Sequence, residues 1–155
     1  IASTHKASGR LSYLPLDFCK DPIPGAYDVI WYSNVLHIYS PEENQAIFRR
    51  VRAALKPGGR FIIQDAFLRD REGLYPTEAS LFAISMLLFT EQGNTYTVSE
   101  TAKWLKHAGF VRIKPVAIRK GTEDWEDGIW EGSAPRPRPR MIANQKGSGR
   151  NRKGR

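Results

Sequence analysis

Polar and aromatic side chains capable of chemistry stand where apolar stretches of this sequence end. The set comprises Asp17 with Phe18, Ser33 with Asn34, His37 just beyond them, and Asp65. If the three stretches are parallel strands, their carboxyl ends meet at one edge of the sheet, where open α/β sheets bind ligands. Any one of these residues alone fits a capped or solvated loop group better than a site. Their shared edge is what predicts one crevice offering acid, amide, hydroxyl and imidazole groups.

The helix that should follow His37 has a well-marked start. Ser40 suits the N-cap, Pro41 suits the first helical position, and Glu43 completes a capping box. Apolar residues then recur at helical spacing with arginines on the other face, until the segment Lys56–Gly59, "KPGG", ends the helix. The pattern predicts an amphipathic helix packed on a sheet.

Two apolar runs flank this helix and are typical of strands. Residues 27–34 form a run of aromatic and β-branched residues that suits a strand covered on both faces, and residues 60–67 form a second buried strand. Strand, helix and strand with short links favour a right-handed βαβ unit. Residues 11–17 alternate apolar and polar side chains before a Pro/Gly loop and predict a short strand.

Two further helices are predicted in the second half of the chain. Residues 77–90 are apolar nearly all round, which is typical of a buried helix. The next helix has a capping box at Thr97 and Glu100, and Gly109 is placed to end it. Residues 111–119 and 128–134 then predict a closing antiparallel hairpin.

Composition and charge limit the functions that are possible. The 155 residues are enough for one domain, and the net charge of +8 comes from eight Lys or Arg among residues 133–155, which contain no acid. Residues 135–155 also lack an apolar period and are predicted to be a disordered basic tail. The single Cys19 suits a reducing compartment, and we expect a cytoplasmic protein. No apolar run approaches a membrane span, and the three histidines and one cysteine show no metal-ligand spacing.

Several segments in this order resemble the class I S-adenosylmethionine-dependent methyltransferases, and within them the small-molecule O-methyltransferases. The similarity covers roughly residues 11–134. It is carried by "LPLDFCKDPIPGAYDVI", by "SNVLHIYSPEENQAIFRRVRAALKPGGRFIIQDA" and by "LFAISMLLFTEQGNTYTVSETAKWLKHAGF". "L.PGG" alone occurs in many methyltransferases, whereas the order and spacing of the three segments are fairly specific.

The resemblance implies a cofactor side of the crevice. By position, Asp17 and Phe18 would border the adenine of S-adenosylmethionine, by hydrogen bond and by stacking. Ser33 falls where plant members use a lysine near the cofactor, and Asn34 beside it is assigned to the same side. These four residues are the predicted cofactor-binding set.

The resemblance also implies a catalytic and a substrate side. His37 falls on the general base that takes a proton from the substrate hydroxyl, and Asp65 falls on an acid able to orient its imidazole. Imidazole suits this task because its unperturbed pKa is about 6.5. Met86 and Thr90 would face the substrate, a small aromatic or polyketide-like molecule. The alternative that His37 is a packed residue stays open, as does a core role for Met86.

The sequence departs from the family pattern in ways that matter. Ile38 and Tyr39 replace the Asp-Trp that follows the base in plant members, and a second acid expected near Thr95 is absent. The glycine-rich first turn and the acid that binds the ribose are missing too. We therefore expect a partial Rossmann-like α/β sheet, strands three to seven of the family, in a C-terminal part of a catalytic domain over residues 1–134. Such a fragment would be inactive alone, and the full-length protein would form a homodimer.

Two other classes of function remain as alternatives. Eight cations in the tail suit nucleic acid or an acidic partner, but no aromatic residue after Trp130 is available to stack on bases. The second alternative is a noncatalytic, methyltransferase-like scaffold. A small-molecule acceptor is preferred to either, and no membrane partner is expected.

Overall fold

Helices and strands alternate along the chain in the computed structural model, which describes residues 10–69, 72, 74–116 and 127–137. The first half contains β1 (Tyr27–Ser33), a 3₁₀ turn (Leu36–Ile38), α1 (Pro41–Ala54) and β2 (Leu55–Leu68). The second half contains α2 (Thr77–Phe89), β3 (Tyr96–Thr97), α3 (Val98–His107), β4 (Val111–Pro115) and β5 (Asp127–Ser133). Every helix in the described part of the chain is too short or too polar to traverse a lipid bilayer.

The sheet is mixed and is built around β2. Its strand order is β1-β2-β5-β4, with the short β3 paired to the end of β2. β1 runs parallel to β2, with Trp31 opposite Ile62, and β5 runs antiparallel to both β2 and β4. The predicted α/β class, the strand-helix-strand unit and the closing antiparallel pair are confirmed. Residues 117–119 of the predicted hairpin, and 138–155 of the predicted tail, lie outside the described residues.

Both predicted capping boxes are present. Ser40 Oγ accepts from the Glu43 amide at 3.2 Å, and Glu43 Oε2 accepts from the Ser40 amide at 2.9 Å. Thr97 and Glu100 repeat this exchange at the start of α3. Each box satisfies two amides that a helix start leaves unpaired. At the other end of α3, Gly109 follows with a φ of +87°, a conformation that glycine adopts without strain.

β2 begins earlier than predicted. α1 ends at Ala54, but "KPGG" lies inside β2 and does not separate the helix from a strand starting at Arg60. The register moves from Tyr27 opposite Leu55 to Val29 opposite Arg60, so the extra residues of β2 form a bulge. The segment therefore ends the helix and bends the strand at once.

The core lies between the helices and one face of the sheet. Phe61, Ile63 and Phe67 alternate along β2 toward that face and are each at most 3% exposed. Phe48 of α1 meets the Phe61 ring edge-on with centroids 5.2 Å apart, and Phe110 stacks on it at 5.4 Å. These ring geometries are the ones that aromatic pairs prefer.

The predicted strand at residues 11–17 is wrong. The segment is irregular, and Leu11, Tyr13 and Leu14 are all more than half exposed. A strand needs a neighbour to satisfy its amides and carbonyls, and no strand of the described residues pairs with this segment. The alternating pattern alone does not supply that partner.

The predicted burial of two other elements is wrong as well. Val29 and Trp31 of β1 are 42% and 53% exposed, so this strand is covered on one face only. In α2 the helix is confirmed, but Ala79 is its one buried residue. Five large apolar side chains of α2 are more than half exposed: Leu81, Ile84, Leu87, Leu88 and Phe89. The apolar composition of β1 and α2 predicted that both would be covered, but the described residues leave these side chains exposed.

One buried amide ties α1 to the 3₁₀ turn before it. Asn44 is fully buried, and its Nδ2 donates to the carbonyls of Leu36 and Tyr39 at 2.9 Å and of Ser40 at 3.1 Å. Its Oδ1 accepts from the Tyr32 hydroxyl at 3.1 Å. The side chain therefore gives hydrogen bonds to the Leu36 and Tyr39 carbonyls, and it adds a second one to the Ser40 carbonyl, which already accepts from the Asn44 amide.

We expect Asn44→Ala to lower the free energy of unfolding by about 2–3 kcal/mol, because it removes the hydrogen bonds that Asn44 makes with buried carbonyls and with a buried hydroxyl. Urea unfolding followed by circular dichroism measures this change. Gln45→Ala is the matched control, since Gln45 Nε2 donates to a single carbonyl, that of Pro41 at 3.2 Å. Equal losses in the two variants would contradict the role given to Asn44.

Two buried tyrosines link stability to alkaline pH. Burial raises the pKa of Tyr32 above its usual range, and burial together with nearby acids, Glu42 first among them, raises the pKa of Tyr96 to about 12. The Tyr96 hydroxyl also donates to the Tyr39 carbonyl at 2.7 Å. The folded protein thus holds these protons more tightly than the unfolded chain, in which tyrosine ionises near pH 10.

Stability should therefore be intact below pH 10 and should fall as the pH rises toward 12. Tyr96→Phe should be less stable than wild type at neutral pH by about 1 kcal/mol, because one hydrogen bond is lost. It should then lose less stability on going to alkaline pH. Unfolding curves at several pH values test this, and parallel pH profiles for the two proteins would refute it.

Candidate functional site

Asp65 lies near the end of β2 and is 1% exposed. Its Oδ2 accepts from the Leu36 amide at 3.0 Å, and its Oδ1 accepts from the Ala66 amide at 2.9 Å. Oδ1 also lies 2.7 Å from His37 Nδ1. Donors from the 3₁₀ turn and from β2 itself therefore surround a buried carboxylate.

This carboxylate determines the hydrogen-bonding state of His37. An ionised carboxylate only accepts hydrogen bonds, so the proton of the neutral imidazole is assigned to Nδ1, which donates to Asp65. Nε2 then carries a free lone pair, and it makes no hydrogen bond within the described residues. The side chain of His37 is 12% exposed. The pair has the geometry of a base whose tautomer is held by an acid.

The loop after α2 returns to the backbone of His37. The Asn94 amide donates to the His37 carbonyl at 2.9 Å. Thr90 Oγ1 donates to the Met86 carbonyl and accepts from the Gly93 amide, both at 2.7 Å. A Cβ on residue 93 would overlap the Thr90 hydroxyl and the His37 carbonyl, so only glycine fits there without a shift. The C-terminal end of α2 is thereby tied to the turn that carries His37.

An apolar ring from α2 contacts the imidazole directly. The Phe82 and His37 rings lie edge to face, with centroids 4.8 Å apart and planes at 80°. Phe82 is half-buried, and Met86 follows it one helical turn later on α2. The predicted substrate helix is therefore next to the predicted base.

A cavity lies beside β1. It has a volume of about 350 Å³ and is lined by Phe18, Ser33 and mainly apolar side chains, among them Ile30 of β1, Val35 just after β1 and Ile47 of α1. Tyr39 stands at its side, with its ring edge-on to Phe18 at 5.9 Å. A hydrogen bond with the Cys19 thiol, and burial with it, raises the pKa of the Tyr39 phenol to about 12. The phenol is thus neutral at physiological pH.

The structure brings the predicted site residues together only in part. His37 and Asp65 are in contact, and Phe18 and Ser33 line one cavity. Asp17 instead stands in a turn, with its Oδ1 accepting from the Cys19 amide at 3.1 Å and its Oδ2 lying 3.4 Å from Lys20 Nζ. Asn34 is exposed, with a φ of +54°. The strand end predicted to present Asp17 and Phe18 is therefore a turn.

The substrate-binding role of Met86 and Thr90 stays a prediction. Thr90 Oγ1 is engaged within its own loop, and Met86 is half-buried. No acid stands near Thr95, where the family pattern has one. Thr95 Oγ1 is buried and has no hydrogen-bond partner in the described parts of the chain.

Sequence reasoning missed Phe82, Gly93 and Asn94. Phe82 stands four residues before Met86, so helical spacing places both on one side of α2 and was a usable signal. Asn94 acts through a backbone hydrogen bond to His37, which leaves no signal in residue type, and Gly93 acts through a close approach that leaves no room for a side chain. Their role depends on how the chain returns to the turn.

The chain is similar to known methyltransferases in sequence and in fold. A family model described as O-methyltransferase domain matches residues 1–111. The chain is 32% identical over 102 residues to the tetracenomycin polyketide synthesis 8-O-methyl transferase TcmO of Streptomyces glaucescens, covering 66% of the chain and 30% of that protein. It is 36% identical over 104 residues to the L-tyrosine C(3)-methyltransferase of Streptomyces lavendulae, covering 66% of the chain and 28% of that protein.

Among solved structures, PigF from Serratia with SAH superposes with a TM-score of 0.73 at 25% identity, over 84% of this chain and 37% of that one. The chain thus spans about a third of the length of the relatives that it matches. A family model that matches well over half of the residues, with a fold in agreement, shows that the chain belongs to the O-methyltransferase domain family.

Proposed function

We propose that this chain is the part of a methyltransferase that carries the base, and that the whole enzyme transfers a methyl group from S-adenosylmethionine to a hydroxyl of a small aromatic or polyketide-like molecule. The observation that carries the proposal is the 2.7 Å contact between His37 Nδ1 and the buried Asp65 carboxylate. An acceptor hydroxyl is a poor nucleophile until its proton is removed. His37 supplies a lone pair for that task.

His37 Nε2 takes the proton of the acceptor hydroxyl, and the imidazole becomes doubly protonated. Asp65 stabilises that cation through the hydrogen bond at Nδ1, and its own position is held by the amides of Leu36 and Ala66. The cofactor, when bound, supplies an electrophilic methyl group. His37 therefore contributes proton removal, and Asp65 contributes its orientation.

The residues present fit one end of S-adenosylmethionine. Phe18 and the apolar wall of the 350 Å³ cavity suit a planar adenine, and the half-exposed Asp17 carboxylate suits its amino group. Ser33 lies in the same wall and its hydroxyl is 3.4 Å from Gln64 Oε1. The sequence has no glycine-rich strand-to-helix turn and no following acid for the ribose and the amino-acid end. The fit is partial for this reason.

This partial fit supports the proposal that the chain is inactive by itself. Residues 1–134 would form the C-terminal part of a catalytic domain, and residues 135–155 a basic tail. The chain spans about a third of the relatives' length, and the cavity beside β1 is lined in part by Trp31, which is 53% exposed. A homodimer of the full-length protein and a cytoplasmic location remain predictions.

The proposed chemical class of the acceptor is supported by the names of the relatives and by the chemistry of the base. The tetracenomycin relative is named as an 8-O-methyl transferase of polyketide synthesis, and the tyrosine relative is named for methylation at carbon. Oxygen is preferred here because a hydroxyl acceptor needs its proton removed by a base such as His37. The helix α2, with its apolar side chains, suits an apolar acceptor.

Cofactor binding should require more than this chain. Isothermal titration of S-adenosylmethionine into the 155-residue chain should give no measurable heat, and the same chain extended by whatever precedes Ile1 in its gene should bind. Phe18→Ala in the extended protein should weaken binding about tenfold, since stacking on a base contributes roughly 1–3 kcal/mol. Absence of binding by both proteins would favour a noncatalytic scaffold.

Removal of the base should abolish most turnover. In the extended protein, His37→Ala should lower kcat on phenolic acceptors by about 10²–10⁴-fold, the usual contribution of a positioned general base, with little change in KM. His107→Ala is the matched control, because His107 is exposed in the last turn of α3. Normal turnover by His37→Ala would show that the imidazole is a packed residue and not a base.

A further inference from the structure

We infer that Phe82 is a positioning residue for His37: its ring and the Asp65 carboxylate together hold the imidazole so that Nε2 stays directed at the acceptor. The inference rests on the proposed function for its catalytic meaning. Its structural content is independent of methyl transfer, because it concerns how two side chains restrain a third. The edge-to-face contact at 4.8 Å carries it.

The hydrogen bond to Asp65 does not fix the imidazole completely. The hydrogen bond determines where Nδ1 lies. The final torsion of a histidine side chain is broad, so the ring plane still rocks about Cβ–Cγ within the range that the hydrogen bond tolerates. Nε2 turns with the ring plane, so its direction toward the acceptor changes when the ring rocks. A second contact on the ring face or edge is needed to hold it, and Phe82 makes that contact at an interplanar angle of 80°.

The position of Phe82 is itself determined from the His37 side. The C-terminal end of α2 is held by the Thr90 hydroxyl, which accepts from the Gly93 amide, and the Asn94 amide then donates to the His37 carbonyl. The chain therefore runs from the turn that bears His37 to Asp65 and then through α2. The loop after α2 returns to the turn and hydrogen-bonds with the His37 carbonyl. Within this closed path the C-terminal end of α2 cannot move away from the turn that bears His37 without breaking a hydrogen bond.

Phe82 differs in this respect from the other phenylalanine of α2. Phe89 is 82% exposed near the end of the helix, whereas Phe82 is half-buried against the imidazole. General packing of α2 does not explain the contact, since most large apolar side chains of this helix are exposed. Phe89 provides a matched control of the same residue type on the same element.

The first test is nuclear magnetic resonance of the 155-residue chain with labelled histidine. In wild type the His37 ring protons should show a ring-current shift and the nitrogens an Nδ1-protonated ring. Phe82→Leu and the volume-matched Phe82→Met should both lose the ring-current shift, while Phe82→Tyr and Phe89→Leu should keep it. Unchanged His37 signals in either ring-free variant, at wild-type circular dichroism, would overturn the inference.

The second test is kinetic and uses the extended protein. Phe82→Leu should lower kcat about three- to tenfold with KM for the acceptor unchanged, as expected when an aromatic contact of this kind orients a catalytic group. Phe82→Tyr should restore kcat. Wild-type kcat in Phe82→Leu would overturn the positioning role. If His37→Ala keeps full turnover while the resonance shifts behave as expected, the proposed base fails and the restraint by Phe82 stands.

Discussion

A buried carboxylate must find hydrogen-bond donors for both oxygens, and Asp65 finds three donors in two segments of the chain. The Leu36 amide comes from the 3₁₀ turn, the Ala66 amide from β2, and the His37 imidazole from the turn again. Satisfying this one group therefore sets the end of β2 against the turn that follows β1. The parallel pairing of β1 and β2 brings the two segments within reach, and the carboxylate determines how closely they meet.

The remaining structure around the site supports that turn from its other sides. Asn44 holds its carbonyls from α1, Tyr96 donates to it from β3, and Asn94 donates to it from the loop after α2. A 3₁₀ turn has few internal hydrogen bonds, so an irregular segment becomes rigid only through such contacts. Rigidity at this point matters because a general base works only when it is held close to the proton that it removes.

Much of this arrangement is predictable from the sequence, and the limits have physical causes. The capping boxes at Ser40 and Thr97 are local, so residue types at fixed spacing reveal them. His37 and Asp65 share an edge because each follows a strand of the same parallel pair. The segment 11–17 and the burial of α2 were predicted wrongly because both depend on neighbours that a pattern does not contain. Phe82 has a helical signal, whereas Gly93 acts through its missing side chain.

The position of β5 has a consequence for the order in which this chain folds. β5 lies between β2 and β4, although β4 precedes it in the sequence, and Ala134 just after it is fully buried and exchanges backbone hydrogen bonds with the Gly58–Gly59 bulge. Pairing β2 with β5 joins Arg60 to Ser133 across a long stretch of chain. On the ribosome, β4 has no strand beside it until the residues of β5 have emerged. Among the described strands, the sheet is thus completed at its own centre, and the core is enclosed only after β5 has been made.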